Sequence, residues 1–382
     1  MDRRRFLQAA ALVPFASALP IVRAAAAEPA RKLLILVELK GGNDGLNTVI
    51  PYSDPLYASL RPRLAIARDQ VVQLSDRTGL HPALAPLRAL WDKRELAVVQ
   101  GVGYPQPNLS HFRSIEIWDT ASPSDVYLDD GWLARAFALS PSPREFAADG
   151  VVVGPNALGP LTGSNVRAIS LNNPEQFLRN ARLARDVGES RNAALEHILR
   201  VERDITLSSE RLQAGRKFAT EFPKSGFGSS VNTAAQLAGN EAGISVVRLT
   251  LGSFDTHANQ LGTQAGLLKQ LAEGLVALRE SLIEVGRWDT TTIATYAEFG
   301  RRPKENQSGG TDHGTASAHL VLGGRVKGGL YGAPPALDRL DGNGNLPYAV
   351  DFRSYYATFL DRWWGIDSKA VLGGRFAPLP IV

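Results

Sequence analysis

Residues 32–40 read KLLILVELK, a nearly continuous apolar run with no polar-apolar alternation. A strand with one wet face would alternate. A run like this suits a strand covered on both faces, as in the interior of a parallel sheet. It stops at a glycine-rich polar turn, Gly41-Gly42-Asn43-Asp44-Gly45-Leu46-Asn47. The pattern returns at 244–251, ending in Gly252-Ser253-Phe254-Asp255-Thr256-His257, and a β-branched strand at 290–296 runs into Glu298-Phe299-Gly300-Arg301. Shorter strands are predicted at 96–100, 150–154, 168–171 and 319–322, with helical stretches at 82–91, 108–118, 179–222 and 352–364. Leu267, Leu268, Leu271, Leu275, Leu278 and Leu282 keep helical spacing and predict one long amphipathic helix. Strands alternating with helices predict an α/β chain folded as a three-layer α/β/α sandwich with a mainly parallel sheet.

Residues 1–27 stand apart from that fold. Asp2-Arg3-Arg4-Arg5-Phe6-Leu7-Gln8 matches the Arg-Arg-x-Phe-Leu core of a twin-arginine export signal. A short Ala-rich stretch follows, and Ala24-Ala25-Ala26-Ala27 offers an Ala-x-Ala cleavage site. The apolar part is shorter than the ~20 residues needed to span a bilayer, so no stable membrane insertion is expected after cleavage. The expected location is the periplasm or outside the cell, with the twin-arginine machinery as export partner and residues 28–382 as a single domain. That machinery moves folded proteins, often with a cofactor already bound. The signal also explains the charge. The chain is +4 overall, and Arg3, Arg4, Arg5 and Arg23 against Asp2 account for +3, leaving about +1. Nucleic acid binding therefore lacks electrostatic support. The chain has no cysteine, which excludes disulfides, thiol nucleophiles and cysteine-ligated metals.

The metal-capable side chains are concentrated where open parallel sheets bind ligands, beyond the C-terminal ends of strands. Asp44, Asp255, His257 and Glu298 each follow a predicted strand, and His111, His313 and His319 lie in or near these segments. Asp312-His313-Gly314 follows Ser308-Gly309-Gly310-Thr311, a glycine-rich approach that lets backbone come close to a ligand. Carboxylates with neutral imidazoles suit zinc or manganese, and two such clusters suit a bimetallic hydrolytic site; the competing reading is a structural polar network. Ser110, opening the 108–118 helix, reads either as an N-cap or as a nucleophile. His81, ahead of Pro82 in a turn, and His197, in a helix, read as structural. Asp341-Gly342-Asn343-Gly344-Asn345 reads as a glycine-rich turn, because position twelve of a calcium loop would be Phe352.

The export signal, the 41–47 turn, Ser110-His111-Phe112, Phe254-Asp255-Thr256-His257, Glu298-Phe299-Gly300-Arg301 and Asp312-His313-Gly314 together resemble the bacterial exported family called domain of unknown function 1501. That family is similar to the alkaline phosphatase and sulfatase superfamily. The resemblance implies an alkaline phosphatase-like fold and a hydrolase of phosphate or sulfate esters. It implies metal ligation by Asp44, by Asp255 and His257, by Asp312 and His313, and by His319 as the last ligand, with Ser110 as nucleophile. Glu298 stands where the superfamily usually places an Asp-His pair, and the sulfatase Cys/Ser-x-Pro-x-Arg signature is absent. The expected site holds two divalent ions, zinc or manganese with calcium as a further candidate. Ser110 would attack in line, with Arg301 or Arg113 offsetting equatorial charge. The alternative is a non-catalytic periplasmic protein that binds an anionic polysaccharide or a partner protein in the same cleft.

Overall fold

The computed structural model describes residues 31–154, 157–171, 216–240 and 243–382. The proposed signal, His197 and nearly all of the predicted 179–222 helical stretch lie outside the described residues. The central sheet contains β1 (Leu33–Leu39), β2 (Leu96–Gly103), β3 (Ala148–Val153), β4 (Ala168–Leu171), β5 (Ile244–Leu251), β6 (Thr291–Tyr296), β7 (Ser317–Leu322) and β8 (Gly329–Tyr331). Their order is β8-β2-β7-β6-β1-β5-β3-β4, and β9 (Val350–Asp351) pairs with β2. Among the described strands of this sheet only β7 runs against its neighbours, and every other pairing in it is parallel.

β1 lies in the middle of the sheet, and its apolar run is consumed by two cores. Leu33, Ile35, Val37 and Leu39 face one helical layer, and Leu34 and Leu36 face the other. Burying each such side chain contributes roughly 1.5–3 kcal/mol, which fixes this segment as the sheet's axis. Its one charge is neutralised in place. Glu38 accepts from Arg248 at 2.7 Å and from Thr250 Oγ1 at 2.9 Å, both on the adjacent strand β5. The first layer holds the long helix Gln260–Glu284, whose predicted leucine stripe is buried. It packs closely on helix Gly226–Ala238; a Cβ on Gly274 would come within 2.6 Å of the Phe227 ring. The second layer contains α1 (His111–Thr120), α2 (Trp132–Leu139) and α3 (Phe352–Ala357), the last continuing into a π-helical turn, Thr358–Trp364. Two helix layers on a mainly parallel sheet make the predicted α/β/α sandwich.

The departures are local. The 82–91 stretch starts as a 3-10 helix, Pro82–Leu87, because Pro86 cannot supply the amide an α-helix needs there. His81 caps it, its Nδ1 accepting from the Ala83 amide at 3.0 Å, which is the structural role expected of it. The 341–345 segment is a turn in which Asp341 Oδ1 accepts from the amides of Asn343 and Asn345, each at 2.8 Å. No described helix is long and apolar enough to cross a membrane.

Candidate active site

Four loops, those following β1, β2, β5 and β6, meet beyond the C-terminal ends of these strands. The turn after β1 approaches the turn after β5 so closely that a Cβ on Gly41 would lie 2.4 Å from the Asp255 amide nitrogen, and Gly41 itself has φ +114°. The segment after β6 doubles back, with Gly314 N donating to Gly300 O at 2.9 Å and Arg302 N to Asp312 O at 3.0 Å. This return carries His313 back beside Arg301. Gly310 then presses on the β5 turn, where a Cβ would sit 2.3 Å from the carbonyl carbon of His257. The glycine-rich approach, expected to bring backbone close to a ligand, here brings backbone against backbone.

Asp255 is the hub. Its Oδ1 lies 2.9 Å from His257 Nε2 and 3.2 Å from His313 Nε2, and its Oδ2 lies 3.4 Å from His111 Nε2. The partners of the other ring nitrogens fix the tautomers. His313 Nδ1 faces the Leu109 carbonyl at 2.7 Å, and His111 Nδ1 faces Glu298 Oε1 at 2.8 Å. Both partners accept, so in the neutral form of each ring Nδ1 carries the proton and Nε2 presents a lone pair. His257 Nδ1 points toward Asp312 Oδ1 at 3.5 Å, and its Nε2 lies 3.0 Å from His313 Nε2. Lone pairs facing each other and a carboxylate repel unless a proton or a cation lies between them. Around a tetrahedral ion with ~2.0 Å bonds, neighbouring donor atoms are ~3.3 Å apart. The 2.9, 3.0 and 3.2 Å separations here fit that spacing. His111, Asp255 and His313 also hold ligand atoms within 4.8 Å of one another. Glu298 adds a buried acceptor: Oε1 takes the Gly41 amide at 2.9 Å, while Oε2 has no hydrogen-bond partner among the described residues.

Electrostatics keep the hub anionic. Partial burial raises the Asp255 pKa, but the Arg301 hydrogen bond and charge outweigh it and hold it at about 2. Burial lowers His313, keeping it neutral and able to ligate.

The remaining expected residues fall elsewhere. Asp44 is buried away from water and is claimed by Arg61, at 2.5 and 3.0 Å, and by Gln260 Nε2 at 2.5 Å. The structure therefore corrects its reading as a free metal ligand. Arg301 spends its guanidinium on the carbonyls of Gly41, Gly42, Phe254 and Thr311 besides Asp255. Arg113 is spent on the carbonyls of Ser124 and Val126 and on Glu116. Both arginines brace loops. Asp312 is half-exposed and serves His257 from outside the converging donors. Ser110 occupies the N-cap position of α1, yet its hydroxyl makes no capping bond and is exposed. It sits between Leu109, whose carbonyl holds His313, and His111.

The sequence model of the family described as "Protein of unknown function (DUF1501)" matches residues 95–374. The chain belongs to the DUF1501 family. No curated protein matches it. This DUF1501 protein is similar to solved structures at low identity, each over most of its length. One is the PsFucS1 sulfatase from Pseudoalteromonas sp., at 10% identity and TM-score 0.40, covering 92% of this chain and 71% of that one. Another is the lipoteichoic acid synthase LtaP from Listeria monocytogenes, at 9% identity and TM-score 0.40, covering 90% and 74%. A third is the C-terminal periplasmic domain of EcEptC from Escherichia coli in complex with Zn, at 11% identity and TM-score 0.35, covering 77% and 73%. Overlaps this loose leave the chemistry of the site to its own residues.

His319 of the DUF1501 chain is not in the cluster. It is fully buried on β7 against Trp118 and Tyr355, with neither ring nitrogen hydrogen-bonded to a described residue. The strand phase turns its side chain into the α1 and α3 layer, which corrects its reading as the last ligand. Burial pushes its pKa down to about 3. The folded state thus stays unprotonated while the unfolded chain takes up a proton below its ordinary pKa of ~6.5. Stability is lost as pH falls through that window, and His319→Leu should remove this term. The drop in unfolding free energy between about pH 7 and about pH 5 should shrink by about 1–2 kcal/mol, read from urea midpoints. An unchanged pH slope would mean that His319 titrates normally.

Proposed function

We propose that this protein is a metal-dependent hydrolase of phosphate or sulfate esters. The observation that carries the reading is the convergence of His111, His257 and His313 Nε2 on the Asp255 carboxylate. A divalent ion such as zinc or manganese, when bound there, supplies Lewis acidity toward an anionic ester oxygen. The chain's own groups prepare the site. Glu298 and the Leu109 carbonyl hold two imidazoles in the ligating tautomer, and Arg301 keeps Asp255 ionised. Ser110, with a free hydroxyl between Leu109 and His111, is the nucleophile of this reading. It would attack the phosphorus or sulfur in line as its proton passes to a neighbouring base. The P–O or S–O bond to the ester's alcohol would break with the alcohol taking up a proton, and water would then hydrolyse the ester on Ser110 to free phosphate or sulfate. We assign one ion to this donor set, because the Asp44 carboxylate is already neutralised by Arg61. The substrate class is an anionic ester, free or on a glycan. The 1–27 segment is the proposed twin-arginine signal that delivers the folded protein to the periplasm.

Purified mature protein should hold about one equivalent of zinc or manganese by elemental analysis and should turn over p-nitrophenyl phosphate or sulfate. Ser110→Ala should keep the metal and lose turnover by roughly three orders of magnitude or more. Folded protein that takes up neither zinc, manganese nor calcium would end this reading. Full turnover in Ser110→Ala would remove only the serine.

The commitment of Arg301 and Arg113 to backbone carbonyls favours a second reading, a non-catalytic protein that binds an anionic polysaccharide or partner protein in the same cleft. Saturable binding of a sulfated glycan with no turnover under any of the three metals would support it.

A further inference from the structure

A cavity of about 400 Å³ opens beside the turn that carries Asp44, and none of the four residues of the histidine–aspartate cluster lines it. Its walls are largely apolar, including Leu46, Val49, Ala318, Pro335 and Leu346. This volume is within the range of small-molecule sites, which combine apolar walls with few polar anchors.

The anchor here is Gln100. Along β2, Leu96 and Val98 face the core layer of the long helix, and Gln100 is next on the same face, where an apolar residue would continue the pattern. Its side chain is almost wholly buried, 4% exposed, and lines the cavity. The carboxamide bonds to no described residue, and its nitrogen and oxygen open onto the cavity instead of being sealed in the core. An amide that faces an apolar-walled cavity must be satisfied by whatever displaces water from that space. The backbone gives a second sign. The β2–β7 register shifts between Ser317 and His319, opposite Gln100 and Gly101, and Gly101 takes φ +68°. Irregularities of this kind re-aim a side chain and are frequent beside binding sites.

We propose that this cavity is a second ligand site, separate from the metal cluster, for a compact and mainly apolar molecule with one carboxamide-like group. The apolar body would fill the space between Leu46, Val49 and Leu346. Its polar group would both donate to and accept from the Gln100 amide, which offers both functions in one plane. The inference does not depend on the esterase reading, since the two sites share no lining side chain.

Benzamide is the probe, with toluene and benzoate as comparisons, titrated by ligand-observed NMR into the full-length or mature protein. Benzamide should bind saturably and roughly fivefold more tightly than toluene, the size expected for hydrogen bonds formed out of water. Gln100→Leu should weaken benzamide roughly fivefold and spare toluene. Ala336→Phe, on the half-buried wall, should abolish both while the thermal midpoint confirms folding. No saturable benzamide binding to the wild type would overturn the proposal. So would binding unchanged in both variants. Benzoate binding more tightly than benzamide would also overturn it, because the rim arginine, Arg339, would then be the anchor.

Discussion

Arg61→Leu is expected to destabilise the protein by about 3–5 kcal/mol, the range for leaving one member of a buried ion pair alone. Arg61 is 0% exposed and Asp44 1%. Its guanidinium makes two bonds to Asp44 and further bonds to Asn47 Oδ1 at 2.8 Å, Pro303 O at 2.7 Å and Arg302 O at 3.0 Å. Those carbonyls lie on the loop after β6, so one side chain ties the β1 turn to the loop that returns His313. Without it, Asp44 keeps only Gln260 and the Leu46 amide as donors. A loss of this size is a large fraction of the roughly 5–15 kcal/mol that holds a typical domain together. The partner substitution separates pairing from burial. If unpaired charge is the cause, Arg61→Leu combined with Asp44→Leu should be more stable than Arg61→Leu alone, read as urea midpoints across the double-mutant cycle. A double variant at least as unstable as the single one would show that loop tethering by the carbonyl contacts dominates.

Arg61 also marks where the sequence stops being legible. The strands that build the site announce themselves because burial on both faces demands unbroken apolar runs, as in β1 and β5. The leucine stripe of the long helix is equally plain, since its spacing is set by the helical repeat. The cluster was readable too: Asp255, His257 and His313 follow strand ends or a glycine-rich return, and both are sequence signals. Pairing was not readable. Nothing around Leu60-Arg61-Pro62 distinguishes an arginine that will neutralise Asp44 from one that will be solvated. Gln260 and Gln264 are likewise ordinary polar residues at a helix start until the fold buries both of them against Asn43, Asp44 and Thr48. Asp44 and Asp255 look alike in sequence, each a strand-end aspartate. What separates them is long-range: Asp44 meets a buried guanidinium bidentately, whereas Asp255 shares one with four carbonyls and faces three imidazoles. His319 misled for a related reason. A histidine near a motif is indistinguishable from a ligand until the strand phase is known, and β7 turns it into an aromatic core. The short strands β8 and β9 carry too few residues for any periodicity to show.

Asp255→Asn should have the largest effect on function. Asparagine keeps the shape and can still accept from Arg301, which retains its four carbonyl acceptors, so the fold should persist. The charge that balances a dication at the hub is gone, and one face of the amide now presents N–H groups to the imidazole lone pairs. Metal affinity should fall by at least ~100-fold, the upper end of what removing a mere supporting partner costs. Glu298→Gln supplies that milder comparison. It weakens the orientation of His111 without touching the hub, and a loss of ~10–100-fold is expected. Thermal midpoints measured with and without zinc separate these effects from simple damage. A metal that binds only the folded state stabilises by RT ln(1 + [metal]/Kd), so each tenfold loss of affinity removes ~1.4 kcal/mol of that gain at fixed zinc. The apo midpoints of the wild type and both variants should lie close together, while the zinc-induced rise shrinks in the order wild type, Glu298→Gln, Asp255→Asn. If Asp255→Asn instead lowers the apo midpoint and keeps the full zinc-induced rise, the carboxylate is a structural tie for Arg301 and the ion, if any, binds elsewhere.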